Sequence, residues 1–136
     1  MRFVLDDHIA REVARFLDYI YGAEDVSFIH VLDLGDAYTR AADQWMISAC
    51  GPEDIVVTAD RDQRTRVSDR EIARAGGRMI SLGGWFDDLR VRPRALWFVN
   101  NADALIAHGR AMQPGMVWRV DKRCKKSVLQ NERPRA

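Results

Sequence analysis

Short strand-like runs alternate with helical segments along this chain, and that alternation restricts the fold more than any other feature. Arg2–Leu5 is an apolar run that ends in Asp6-Asp7. Ala10, Val13, Ala14, Leu17 and Ile20 then recur at helical spacing up to Gly22. Val26–Val31 is a second β-branched and aromatic run, followed by a loop over Asp33–Arg40. A helix from about Ala42, with Trp45, Met46 and Ala49 on one face, stops at Gly51-Pro52. Asp54–Thr58 is the most strand-like run. Ser68 and Glu71 form a capping box for a further helix that ends at Gly76-Gly77. Arg78–Leu82 is a fourth strand, and Pro93 suits the first turn of a longer helix. Leu96, Val99, Leu105 and Ile106 are its expected buried face, and Met116–Val120 is the last strand. Strands that alternate with helices predict an α/β fold, a three-layer α/β/α sandwich with a mainly parallel central sheet.

At 136 residues the chain suits one domain, expected over 1–121, with a basic tail over 122–136. No run reaches the roughly 18 apolar residues of a membrane span, and no signal-like segment follows the N-terminus, so a cytoplasmic protein is expected. Cys50 and Cys124 lack metal-ligand spacing; reduced thiols are the default and a disulfide the weaker alternative. The formal charge of +1 conceals a division. Residues 1–62 carry 13 acids against 5 bases, and residues 63–136 carry 7 against 16. Such asymmetry fits an acidic cluster and a polyanion-facing surface, or two halves that neutralise each other.

The acids fall at informative places. In a parallel sheet the carboxyl ends of the strands share one edge, where ligands bind. Asp6, Asp43, Asp60 and Asp62 stand where strands end or helices begin. Each alone has a structural explanation as a helix cap or turn residue. Together they would repel one another unless a hard cation such as Mg²⁺ or Mn²⁺ held them, and carboxylate oxygens suit those ions. Such a site is that expected of a metal-dependent phosphate enzyme. No Ser-His-Asp or Cys-His arrangement is evident.

Three segments carry a resemblance. Phe3-Val4-Leu5-Asp6-Asp7-His8-Ile9, Ala42-Asp43-Gln44-Trp45 and Val56-Val57-Thr58-Ala59-Asp60-Arg61-Asp62 resemble the PIN-like domain superfamily, in particular the branch related to VapC-type toxins. The likeness covers roughly residues 1–82. It implies a Mg²⁺- or Mn²⁺-dependent endoribonuclease in which Asp6, Asp43, Asp60 and Asp62 hold the metal, with Asp7 and His8 secondary. It implies products bearing 5′-phosphate and 3′-hydroxyl groups. It further implies an RNA substrate, a cognate antitoxin and a homodimer. Two departures stand out: Asp43 replaces the usual Glu, and residues 63–66 are polar and Arg-rich.

Around these acids, Arg61, Arg64 and Arg66 are candidates for gripping RNA phosphates, or belong to a solvated loop. His8 either touches substrate or is an exposed helix residue. His30 and His108 read as structural, and Trp45, Trp97 and Trp118 as core. Trp85, after Gly83-Gly84, is either a base-stacking platform or a loop anchor. A receiver-like signalling domain is the alternative, with Asp6-Asp7, Asp60, Ser81 and Lys122 in its expected places; it does not account for Asp43 or Asp62. A catalytically degenerate PIN-like binding module is a third possibility.

Overall fold

A computed structural model describes residues 1–23, 25–34, 51–59 and 77–128. The strands are β1 (Arg2–Leu5), β2 (Ser27–His30), β3 (Asp54–Thr58), β4 (Arg78–Leu82), β5 (Val117–Val120) and β6 (Lys126–Val128). The helices are α1 (Arg11–Tyr21) and α2 (Val91–Ala111), and a 3₁₀ turn, Val31–Asp33, follows β2. These strands form one sheet in the order β2-β1-β3-β4-β5-β6, parallel throughout except for the antiparallel β5–β6 pair. The α/β class and the mainly parallel sheet agree with the alternation in the sequence.

Nearly continuous apolar strands require cover on both faces. Phe3, Leu5, Ile55, Val57, Ile80 and Trp118 share one face, and they pack with Val13, Ala14 and Leu17 of α1 and Phe98, Ala102 and Leu105 of α2. The other face presents Val4, Val56, Met79 and Val117, each no more than 1% exposed. Gly109 lets α2 lie close on the sheet: a Cβ there would sit 2.5 Å from Ile55 Cδ1 and 2.8 Å from Phe3 Cζ. The inward stripe of α2 is Phe98, Ala102, Leu105 and Gly109, with Trp97 beside it. Leu96, expected inside, is 47% exposed, because a spacing of four, three and four residues fixes the stripe from Phe98.

Residues after Val120 correct another expectation. Instead of leaving as a tail, the chain turns at Asp121 and returns as β6, with Arg119 opposite Ser127 and Trp118 opposite Val128. Asp121 Oδ1 accepts the N–H groups of Arg123 and Lys125 at 2.9 Å, and Cys124 takes a positive φ of 59° inside the turn. The Lys126 ammonium lies 3.8 Å from the centroid of the Trp118 ring. Cationic composition hid a strand whose lysine ammonium sits over an aromatic face. Residues 129–136 lie outside the described residues.

Candidate functional site

The strand order reverses direction at β1. The chain passes from β1 outward to β2, then crosses back to place β3 on the other side of β1. In open α/β sheets the crevice at such a switch point, beyond the carboxyl ends of the strands, is where ligands bind. Asp6 follows β1 at that point, and Thr58 ends β3 beside it, with Ala59 next in the chain.

Asp6 extends the ladder by one residue, its N–H donating to the Val57 carbonyl at 3.1 Å. Its side chain is only 1% exposed. Oδ1 accepts the His8 backbone N–H at 3.0 Å. Oδ2 accepts the Thr58 hydroxyl and, at 3.3 Å, the Ala59 N–H. Burial drives its pKa from the ordinary 3.8 up to about 6; the Thr58 hydrogen bond, the charge and backbone N–H of His8 hold it down, and Asp7 pushes it up.

Capping does not explain this placement. The cap of α1 is Ala10, which makes no side-chain cap hydrogen bond, and Asp6 closes a turn onto His8 instead. Asp7 and His8 are about half exposed, with Asp7 Oδ1 3.9 Å from His8 Nε2. The turn is braced from β2. His30, buried, donates from Nε2 to the Ile9 carbonyl at 2.8 Å while Nδ1 accepts the Leu32 N–H at 3.1 Å.

Two other acids show what a partnered carboxylate looks like here. Asp54, at the opposite end of β3, is 5% exposed and receives Arg2 Nε at 2.8 Å, Arg2 Nη2 at 2.7 Å and the Gly51 N–H at 2.8 Å. Asp33, after β2, is held by Arg11 and Arg15, and the Arg11 hydrogen bond lowers its pKa. Among the described residues Asp6 is buried against a hydroxyl and backbone N–H groups. A buried carboxylate with neutral donors is the arrangement that a hard cation relieves.

Of the expected site residues, the structure places Asp6, Asp7 and His8 on one turn. Asp43, Asp60, Arg61, Asp62, Arg64 and Arg66 lie outside the described residues; Asp60 directly follows Ala59 in sequence. Among the described residues no three His, Cys, Asp or Glu side chains come together as a metal cluster. Thr58 went without a role in the sequence, although it stands two residues before Asp60. His30 and His108 are structural as expected, the second bonding the Cys124 carbonyl at 2.6 Å. Trp85 is anchored: its Nε1 donates to the Val120 carbonyl at 3.2 Å and its ring lies 5.0 Å from that of Trp97.

A family model described as a PIN-like domain matches residues 1–84. The chain belongs to the PIN-like domain family. No curated protein and no solved structure gives a significant match. The PIN-like span includes all four aspartates that the sequence singles out, and membership sets aside the receiver-like alternative. PIN-like domains form a nuclease-type superfamily. Among the described residues no helix is long and apolar enough to cross a membrane.

Proposed function

We propose that this PIN-like chain is a divalent-metal-dependent endoribonuclease, the toxin of a VapC-type toxin–antitoxin module acting in the cytoplasm as a homodimer. The observation that carries the proposal is Asp6: a carboxylate buried at the topological switch point, supplied among the described residues with neutral donors and no guanidinium, immediately beside the strand end that leads into Asp60. Asp6, Asp43, Asp60 and Asp62 would hold Mg²⁺ or Mn²⁺. An ion held there would supply Lewis acidity toward a phosphodiester and an attacking water.

The remaining work falls to the chain itself. The Thr58 hydroxyl and Ala59 N–H fix one oxygen of Asp6, and the His8 N–H fixes the other, so the carboxylate cannot rotate freely. His30 holds the turn that carries it. Asp7 and His8 stand at the exposed mouth, and Arg61, Arg64 and Arg66 are assigned to RNA phosphates. Cleavage of RNA by the purified protein with Mn²⁺ or Mg²⁺, its loss with chelator and its loss in Asp6→Asn are the expected results. RNA binding without turnover under all these conditions would refute the nuclease and leave a degenerate binding module. A small DNA-binding protein encoded beside the gene, co-purifying with the chain and silencing its cleavage, would identify the antitoxin.

A further inference from the structure

Strand registers place a polar row across the sheet on the face that bears Asp6. Thr58 is bonded to Asp6, pairs with Ser81, which pairs with Arg119, which pairs with Ser127. Partners in adjacent strands point to the same side, so a carboxylate, three hydroxyls and one guanidinium line up near the carboxyl edge. At the far end of the row is an open cleft of about 160 Å³, lined by Gly83, Gly84, Trp85, Arg119, Asp121 and Ser127, with the Val120 backbone.

Three properties distinguish this cleft from a chance depression. Arg119 is partly buried, and among the described residues its guanidinium has no hydrogen-bond or ion-pair partner. The acid nearest in sequence, Asp121, is engaged by the Arg123 and Lys125 N–H groups that form the turn to β6. Trp85 is locked by its Nε1 bond and by Trp97, so one wall is rigid before any ligand arrives. A withheld guanidinium, a hydroxyl and a fixed aromatic wall make a preorganised site for an anion that offers two oxygens to the guanidinium fork, as a phosphodiester does.

We infer that Arg119 and Ser127 bind a phosphate of the single RNA strand whose scissile bond lies at Asp6, a few nucleotides away from it. This subsite rests on the proposed nuclease function. Three strand spacings separate Asp6 from Arg119, about 14 Å, a distance that a short stretch of extended nucleotide chain spans. Both positions lie at the carboxyl edge; Thr58 and Ser81 between them are buried, so the strand runs along that edge and not over the face. The subsite holds the substrate backbone in register and reads no base.

The test is binding of a fluorescein-labelled single-stranded RNA to the full chain in EDTA, at several salt concentrations, with Mn²⁺-dependent cleavage measured separately. Arg119→Gln is expected to bind about tenfold more weakly and to lower the slope of log affinity against log salt by about 0.7, the value of one phosphate contact on a single strand. Arg119→Lys keeps the slope and recovers part of the affinity. Arg92→Gln, the same charge change on the exposed first turn of α2, is expected to alter neither. An Arg119→Gln slope equal to wild type overturns the inference, as does an equal loss in Arg92→Gln, which would reduce the effect to net charge. Cleavage by wild type together with an unchanged Arg119→Gln slope sinks the subsite and leaves the nuclease standing. No cleavage, with the slope change present, does the reverse.

Discussion

Replacing Asp6 by Asn should stabilise the metal-free protein at neutral pH and do the opposite to catalysis. Burial raises the Asp6 pKa from 3.8 to about 6, so ionising it in the folded chain costs about 3 kcal/mol, at about 1.4 kcal/mol per tenfold. The folded state holds this proton more tightly than the unfolded state. Its contribution is therefore fully present below the unfolded value near 3.8 and is lost as pH rises through about 6. Asn cannot titrate. It keeps the volume and can accept from the His8 N–H while its amide donates to Thr58, but the Ala59 N–H loses its acceptor, a cost of about 1 kcal/mol. In urea titrations with EDTA, Asp6→Asn should exceed wild type by about 2 kcal/mol at pH 7.5 and fall level with it or slightly below near pH 4. Saturating Mn²⁺ should stabilise wild type alone. Parallel stability–pH curves for the two proteins would mean that Asp6 is not the strained carboxylate its burial implies.

Other consequences are as direct. Thr58→Val removes the hydrogen bond that most lowers the Asp6 pKa, so the acid limb of the pH–rate profile for Mn²⁺-dependent RNA cleavage should move to higher pH. Gly109→Ala drives a methyl against Ile55 and Phe3 and should destabilise by about 1–2 kcal/mol in urea, overpacking outweighing the gain in helix propensity. Asp54→Asn leaves Arg2 and the Gly51 N–H poorly matched; because Arg2 is partly exposed, the expected loss is about 2 kcal/mol, read from the same titration. Truncation after Lys122 removes β6 and its pairing with β5 and should lower the melting temperature in a thermal melt.

The strands were legible because each is an apolar run bounded by polar turns, and a strand buried on both faces must read that way. Their edge was legible too, since a parallel sheet sends every carboxyl end to one side; Asp6 lies at the switch point of that edge. What the sequence did not disclose are contacts set by tertiary packing. Thr58 meets Asp6 across 52 positions, and nothing local marks its hydroxyl as the donor. Asp6 and Asp7 looked like caps because helical spacing begins at Ala10, yet α1 starts without a side-chain cap. Lys125 and Lys126 disguised β6, because their charge outweighs the single apolar Val128 in any hydropathy count. On α2, Leu96 drew attention by hydrophobicity, while Phe98 and Gly109 decide which side faces the sheet. Asp43, Asp60 and Asp62 lie beyond the described residues, and their convergence on Asp6 rests on sequence.

In chain order the first strand of the sheet is an interior strand. β1 has β2 on one side and β3 on the other. Pairing with β2 is available once the α1 connection has emerged, but the opposite edge of β1 stays open until Asp54–Thr58 arrives. A chain halted between those points would expose a bare strand edge, apolar over Phe3–Leu5, the kind that recruits other chains. It would also lack Thr58, so Asp6 would stand at the end of an unfinished sheet without its main hydrogen-bond donor. Completion of the central pairing and completion of the Asp6 environment are thus one folding event. A nascent fragment cannot assemble this turn ahead of the sheet that bears it.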